Sequence, residues 1–290
     1  MARIVKVSTV ALFRPAGFCS IEEHMKRAED AVDEALCEKP DIILLPEAYP
    51  VFESTQEEII RSSEIYQKLN ERIGKKAKAG CCYIVNNILR KQFGKIYNTA
   101  FLLDRNGHVC FEYSKTHLAA FENKVYQNDA GNELPVYETD FGKIGIMICM
   151  DIHFPEVSRV LALKGAEIIF WPTQAYGPTD EILMMLLRTR AFDNQTYCVA
   201  ANYSQQPFLP GKNIGRACIV SIDGNIIADT GNRPGIASSK IDLDAKHILD
   251  WSYTNCCDEM TRDFPDWRTM FKKLRRPELY EEICKINNEF

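Results

Sequence analysis

Residues 145–156, GIMICMDIHFPE, join the end of an apolar run to the start of a predicted helix. The apolar run stops at Cys149, and the residues that follow, with Asp151 and Pro155, are typical of a turn into a helix. A buried free cysteine usually behaves as a small apolar residue. At the end of a buried strand, however, a thiol can also be a nucleophile at the edge of a sheet.

Along the whole chain, short runs of strand length lie between longer segments with helical spacing. Some of the short runs are continuously apolar, and in others apolar and polar residues alternate. This pattern predicts an α/β fold with mixed sheets. Ser20 and Glu23 have the spacing of a capping box, so a helix is expected to begin there. The predicted strands are residues 4–12, 41–45, 82–89, 97–104, 108–113, 136–140, 143–149, 166–171, 196–203, 217–223, 226–230 and 235–243. The predicted helices are residues 20–37, 54–79, 155–164 and 179–193, and residues 114–134 are predicted to form a long loop.

No linker rich in proline and glycine divides the chain, so residues 1–250 are predicted to form one domain. Residues 251–290 are predicted to form a tail. Its aromatic residues require that the tail pack on its own domain or on a partner subunit. These residues are Trp251, Tyr253, Phe264, Trp267, Phe271, Tyr280 and Phe290.

Composition argues against several classes of protein. The chain has 290 residues and a net charge of −5, which disfavours a large nucleic-acid interface. Its 11 cysteines include no CxxC or zinc-finger spacing, so we expect no metal and a reduced, cytoplasmic protein. No run approaches the roughly 18 apolar residues of a membrane span, and the amino-terminal residues are predicted to be a strand instead of a signal peptide.

Three ionisable side chains follow predicted strands. Glu47 comes directly after the run at residues 41–45, Lys115 follows residues 108–113, and Cys149 ends its own strand. Side chains beyond the carboxyl ends of strands in an α/β sheet converge on one crevice. A thiol nucleophile needs a base and a group that stabilises the oxyanion. Spacing alone does not distinguish such a site from charged residues that follow strands by chance.

Several segments together resemble the nitrilase-like carbon–nitrogen hydrolases, over roughly residues 4–245. The resemblance implies an αββα sandwich of two mixed sheets, assembled as a homodimer or larger oligomer. It also implies that Cys149 is the nucleophile, Glu47 the general base and Lys115 the oxyanion partner. The segments are LLPEAYP, YSKTHL, GIMICMDIHFPE, FENKVYQNDAG, GAEIIFWPT, RTRAFDNQTYCVAAN and GRACIVSIDGNIIADTG.

The same resemblance implies roles for further residues. Glu122 corresponds to a second glutamate that orients Lys115 or the substrate amide, and the Met150 N–H is the expected second oxyanion donor. His153 either lines the pocket or packs near the helix start, and Thr173 and Gln174 are candidates for substrate contact. Outside the site, Arg188, Arg190 and Asp193 share a predicted helix, and an internal salt bridge is their expected role.

The residues after Cys149 bear on the reaction. Cys-x-Asp followed by Phe-Pro-Glu resembles the amidase and N-carbamoyl amidase branches, whereas nitrilases proper usually carry Cys-Trp-Glu-Asn. Met150 departs from the aromatic residue common in the amidase branches. The expected reaction is therefore cofactor-free hydrolysis of a small linear amide or ureido compound through a thioester. A true nitrilase and a catalytically silent scaffold remain the alternatives.

Overall fold

The computed structural model describes residues 2–15, 17–52, 54–120, 122–125, 128–175, 180–204 and 215–285. The strands are β1 (Ile4–Leu12), β2 (Ile42–Leu44), β3 (Tyr83–Gln92), β4 (Lys95–Leu103), β5 (Val109–Ser114), β6 (Val136–Glu138), β7 (Lys143–Ile146), β8 (Ile168–Pro172), β9 (Tyr197–Tyr203), β10 (Cys218–Val220), β11 (Ile226–Asp229) and β12 (Gly235–Asp242). The helices are α1 (Ile21–Leu36), α2 (Gln56–Glu64), α3 (Tyr66–Gly80), α4 (Glu122–Val125), α5 (Pro155–Leu163), α6 (Asp180–Asn194), α7 (Cys257–Asp263) and α8 (Trp267–Lys273).

The described strands form one mixed sheet, which confirms the α/β class. The hydrogen-bonded order is β5-β4-β3-β2-β1-β9-β8-β7-β6, with β12 beside β1 and the β10–β11 hairpin beside β9. The family resemblance implied two mixed sheets. Two parallel pairs, Ala11 with Asn202 and Leu12 with Tyr203, connect β1 to β9 and join the two halves at one end. The four-layer arrangement itself stays a prediction.

The sequences of the central strands are continuous apolar runs because both faces of these strands are buried. One apolar cluster combines side chains from both halves of the sheet, such as Val7 and Leu44 with Ile146 and Phe170. A second cluster packs α1 and α3 on the β1–β4 half, and a third packs α5 and α6 on the β7–β9 half. Each half of the sheet therefore has helices against one face.

Most predicted elements are confirmed, and the differences have local causes. The predicted helix at residues 54–79 is two helices, because the chain leaves α-helical geometry at Ile65. Strand β7 ends at Ile146, three residues before Cys149. The predicted loop at residues 114–134 contains the short helix α4. Residue 179, where a helix was expected to begin, lies outside the described residues.

The carboxyl-terminal segment packs on its own chain in the described range up to residue 285. Trp267 meets the ring of Phe192 on α6 at a centroid distance of 5.2 Å, and Arg268 Nε donates to the Gln195 carbonyl at 2.9 Å. Nothing in the described part of the chain has the combined helix length and apolarity of a membrane span.

Candidate active site

Cys149 lies on a strained turn at the end of the β7 run. Its φ is +43°, a left-handed conformation that residues with a Cβ adopt at a cost, commonly at functional sites. A short 3₁₀ turn, Cys149–His153, follows immediately. The indole Nε1 of Trp171 donates to the Cys149 carbonyl at 2.9 Å and fixes this turn against β8.

Glu47 also lies just beyond the end of a strand, in this case β2, and beside a residue with a left-handed backbone. The next residue, Ala48, has a φ of +44°, and its N–H donates to Asn87 Oδ1 at 2.7 Å. The hydroxyl of Tyr203 donates to the Glu47 carbonyl at 3.0 Å. Side chains from β3 and β9 therefore hold the backbone around Glu47 at the carboxyl end of the sheet.

Lys115 lies between two buried carboxylates. Its Nζ donates to Glu47 Oε1 at 3.0 Å and to Glu122 Oε2 at 2.7 Å. All three side chains are buried, with Lys115 only 1% exposed. An isolated buried charge is costly, so this ion-paired arrangement is the condition under which a buried ammonium is tolerated.

Hydrogen-bond donors complete the surroundings of both carboxylates. The amide nitrogen of Asn98 donates to Glu47 Oε1 at 2.7 Å and reaches Glu122 Oε1 at 3.4 Å. The Gln174 N–H donates to Glu47 Oε2 at 2.8 Å, and the Ala119 N–H donates to Glu122. Asn98 was not among the site residues predicted from the sequence. The available signal was a polar pair, Asn98 and Thr99, in a strand whose other buried residues are apolar.

One cavity of about 190 Å³ contains these groups. Glu47, Lys115, Glu122, Cys149 and Met150 all line it, as the sequence predicted. His153 and Gln174 also line it, although His153 is largely exposed to solvent. Thr173 does not line it. The structure thus brings the predicted catalytic side chains together around one cavity.

Burial and neighbouring charge set the protonation of the site. Burial raises the pKa of the Cys149 thiol to about 12; Glu47 adds to the rise, whereas Lys115 and the nearby Thr173 oppose it. Burial disfavours the charged form of Lys115, but Glu47, Cys149 and Glu122 together raise its pKa. Burial raises the pKa of Glu122, and Lys115 opposes that rise. The resting site therefore contains a neutral thiol beside a permanent ammonium.

Asp151 connects the Cys149 turn to the Lys115 segment. Its Oδ2 accepts from the Ile148 N–H and the Tyr113 hydroxyl, both at 2.7 Å. Its Oδ1 accepts from the His117 N–H at 3.0 Å and from the Thr116 hydroxyl at 3.2 Å. The carboxylate is completely buried. From the sequence, Asp151 was expected to belong to a turn and to separate amidases from nitrilases, but this structural role was not predicted.

The arginines of α6 do not form the internal salt bridge that the sequence predicted. Arg190 instead donates twice to the Ile152 carbonyl, at 3.0 and 3.2 Å, and so fixes the turn after Cys149. Arg188 donates to the Gly224 carbonyl, and Asp193 pairs with Arg159 on α5 at 3.7 Å. The expectation was wrong because the arginines point toward carbonyl groups outside α6.

Comparison with known proteins identifies the family. The carbon–nitrogen hydrolase family model matches residues 9–246, most of the chain. The chain belongs to the carbon–nitrogen hydrolase family. It is 29% identical over 242 residues to a deaminated glutathione amidase of Synechocystis, covering 78% of this chain and 88% of that protein. It is 28% identical over 233 residues to an omega-amidase of Xenopus tropicalis, covering 77% and 84%.

Solved structures agree on the fold of this carbon–nitrogen hydrolase. An amidase from Nesterenkonia sp. AN1 superposes with a TM-score of 0.77 at 20% identity, over 96% of each chain. The match extends beyond residues 9–246 of the family model and into the carboxyl-terminal segment. The Nesterenkonia protein therefore supports the chain path of almost the whole molecule.

Proposed function

We propose that the protein hydrolyses small linear amides, with Cys149 as the nucleophile and a thioester as the intermediate. The observation that carries this proposal is the buried Lys115 ammonium, which joins Glu47 and Glu122 in the cavity that Cys149 lines. A nucleophile, a base and a fixed cation are the parts that acyl transfer needs.

In the first half of the reaction, Glu47 takes the thiol proton while the Cys149 sulfur forms a bond to the amide carbonyl carbon. Proton transfer accompanies attack because the thiol is neutral at rest. The carbonyl oxygen becomes an oxyanion beside Lys115 and the Met150 N–H. Collapse breaks the carbon–nitrogen bond, and the protonated Glu47 gives its proton to the departing ammonia or amine.

In the second half, Glu47 takes a proton from water, which attacks the thioester. The carboxylic acid leaves and the sulfur recovers its proton from Glu47. Glu122 keeps Lys115 oriented throughout, because it accepts from the ammonium at 2.7 Å and from the Ala119 N–H. Two steps of moderate barrier thereby replace one difficult hydrolysis.

Amides are the favoured substrate class for two reasons. The relatives from Synechocystis and Xenopus tropicalis are named amidases, and a mutant of the Nesterenkonia amidase carries the acetamide moiety of fluoroacetamide on its active-site cysteine. The cavity of about 190 Å³ also suits a small substrate. N-carbamoyl compounds have a similar carbonyl and belong in the same screen, as do nitriles.

The proposed architecture is the αββα sandwich of the family. Its support is the apolar cluster shared by both halves of the sheet, together with helices on the other face of each half. In this arrangement β1 and β9 connect the two layers at one end. We further propose residues 1–250 as the hydrolase domain and residues 251–290 as a tail.

The test is ammonia release from small amides, omega-amides, ureido compounds and nitriles by the wild-type protein and by Cys149→Ala. We expect amide hydrolysis that Cys149→Ala reduces by at least three orders of magnitude, with an unchanged circular dichroism spectrum. Cys198→Ala is the control for removal of a thiol, because Cys198 is buried in β9 and lies outside the cavity. Activity of Cys149→Ala within tenfold of wild type would contradict the mechanism.

A further inference from the structure

The cavity contains polar atoms that the proposed chemistry does not use. The amide nitrogen of Asn98 faces Glu47 and Glu122, so the orientation of this side chain is fixed. Its Oδ1 is buried and has no hydrogen-bond partner among the described residues. Asn98 therefore offers an unused acceptor beside the two carboxylates.

Asn128 provides a second unused group. It lines the same cavity and is fully buried. Within the described part of the chain, neither its Nδ2 nor its Oδ1 has a partner. Its backbone position is well defined, because its N–H donates to the Glu122 carbonyl at 3.3 Å and the next residue, Asp129, donates to Ile96 on β4 at 2.7 Å.

An unpaired buried amide group is unfavourable, and native proteins almost always pair such groups with protein, water or ligand. Asn128 presents an unpaired NH₂ group as donor and a carbonyl oxygen as acceptor, and Asn98 presents a carbonyl oxygen as acceptor. A ligand group that both donates and accepts a hydrogen bond would satisfy this set. Hydroxyl and primary carboxamide groups have that property.

Charge disfavours an anionic group at this place. Glu47 and Glu122 are two carboxylates that share one ammonium, and the free Asn98 oxygen adds a further acceptor. A substrate carboxylate there would face like charge in a buried environment. The cavity thus favours a neutral polar group over a charged one.

We infer that Asn128 is a specificity-determining residue that binds a neutral hydroxyl or carboxamide on the acyl part of the amide substrate. The inference rests on the proposed amidase function and adds a substrate class to it. The preferred substrates are then short amides with a second, uncharged hydrogen-bonding group. Plain alkyl amides leave Asn128 unpaired, and such sites discriminate strongly against the analogue that lacks the group.

The test compares kcat/KM for matched amides. Chain length is varied because it decides whether the second polar group of the substrate can reach Asn128. Butanamide, its 3- and 4-hydroxy derivatives, succinamide and succinamate form the set. We expect the wild type to prefer the best hydroxy or diamide substrate over butanamide by about tenfold or more. Asn128→Leu, which has a similar side-chain volume, should reduce that preference, expressed as the ratio of the two kcat/KM values, to about twofold or less.

The thermal stability of Asn128→Leu and the behaviour of a control variant distinguish substrate recognition by Asn128 from a structural role of this residue. Asn128→Leu removes an unpaired polar group, so its melting temperature without substrate should equal or exceed that of the wild type. Asn132→Leu, exposed on the same segment, should keep the wild-type preference.

An absence of preference in the wild type, or a preference that Asn128→Leu and Asn128→Ser both retain, would overturn the inference. Failure of the wild type on every amide would instead overturn the proposed function.

Discussion

At the scale of single residues, the site is built around a thiol that is neutral at rest. Burial and the neighbouring Glu47 raise the pKa of Cys149 to about 12, and the single positive charge of Lys115 does not reverse this. A cysteine of this kind differs from a preformed thiolate, which depends on a low pKa. Its reactivity depends on a base that acts during attack, and Glu47 is the candidate.

This protonation state predicts how Cys149 reacts with a small uncharged thiol reagent, such as methyl methanethiosulfonate. The reactive thiolate fraction should keep rising about tenfold per pH unit from pH 7 to pH 10, since the folded-state pKa lies near 12. A free cysteine peptide should level off near its pKa of about 8.5. Rates are measured by mass spectrometry of the peptide that contains Cys149. A plateau below pH 9 would show that the thiol is more acidic than the structure implies.

Replacing the nucleophile by an alcohol gives a second prediction. Cys149→Ser should fold normally, because only one side-chain atom changes, but should lose at least three orders of magnitude in kcat. A carboxylate base can take a proton from a thiol far more readily than from an alcohol of much higher pKa. Activity is measured on the best amide from the screen. Retention of even a tenth of wild-type kcat would argue against Glu47 as the base.

At the scale of elements, one buried carboxylate sets the relation between two active-site segments. Asp151 accepts from Ile148, which precedes the nucleophile, and from Tyr113, Thr116 and His117 around Lys115. These segments come from different parts of the chain and share no strand pairing. The distance between thiol and ammonium therefore depends on the side chain of Asp151.

Asp151→Asn should consequently damage both stability and catalysis. The asparagine nitrogen would face N–H or hydroxyl donors, and each lost charge-assisted hydrogen bond in a buried site costs about 1.5–3 kcal/mol. We expect a fall of that order in the free energy of unfolding by urea and a larger proportional loss in kcat than in affinity. Asp33→Asn, which removes an exposed ion pair with Lys76, should change stability by less than about 1 kcal/mol. Equal effects of the two variants would refute the special role of Asp151.

Part of the site could be predicted from the sequence. Glu47, Lys115 and Cys149 each follow a strand with a recognisable apolar pattern, but their selection as a triad came from the segments that resemble the nitrilase-like carbon–nitrogen hydrolases. Asn98 and Asn128 could not be predicted, because their significance lies in which buried atoms remain unpaired after folding. The link between β1 and β9 was missed for a related reason: two residue pairs at a strand end leave no periodic signal.

At the scale of the whole molecule, one open groove exposes several large apolar side chains. Helices α5 and α6 and the tail border this groove. Leu274 is 59% exposed and Ile283 is 60% exposed, and Leu163 and Phe192 add partly exposed apolar area. Contiguous apolar surface of this kind typically marks an interface. The described part of the tail, up to residue 285, covers part of α6 and leaves the groove open.

We therefore predict a homodimer or larger homo-oligomer in which this groove is covered by a second copy of the chain. Light scattering at micromolar concentration should give a mass of at least twice the 33.2 kDa of one chain. Leu274→Asp places a charge in the groove and should shift the protein toward the monomer, because burying an unpaired carboxylate is costly. Phe93→Asp is the control: Phe93 is 92% exposed at the β3–β4 turn, away from the groove, and its replacement should leave the mass unchanged. A wild-type mass of one chain would refute the oligomer, and dissociation by Phe93→Asp alone would move the interface to the other end of the molecule.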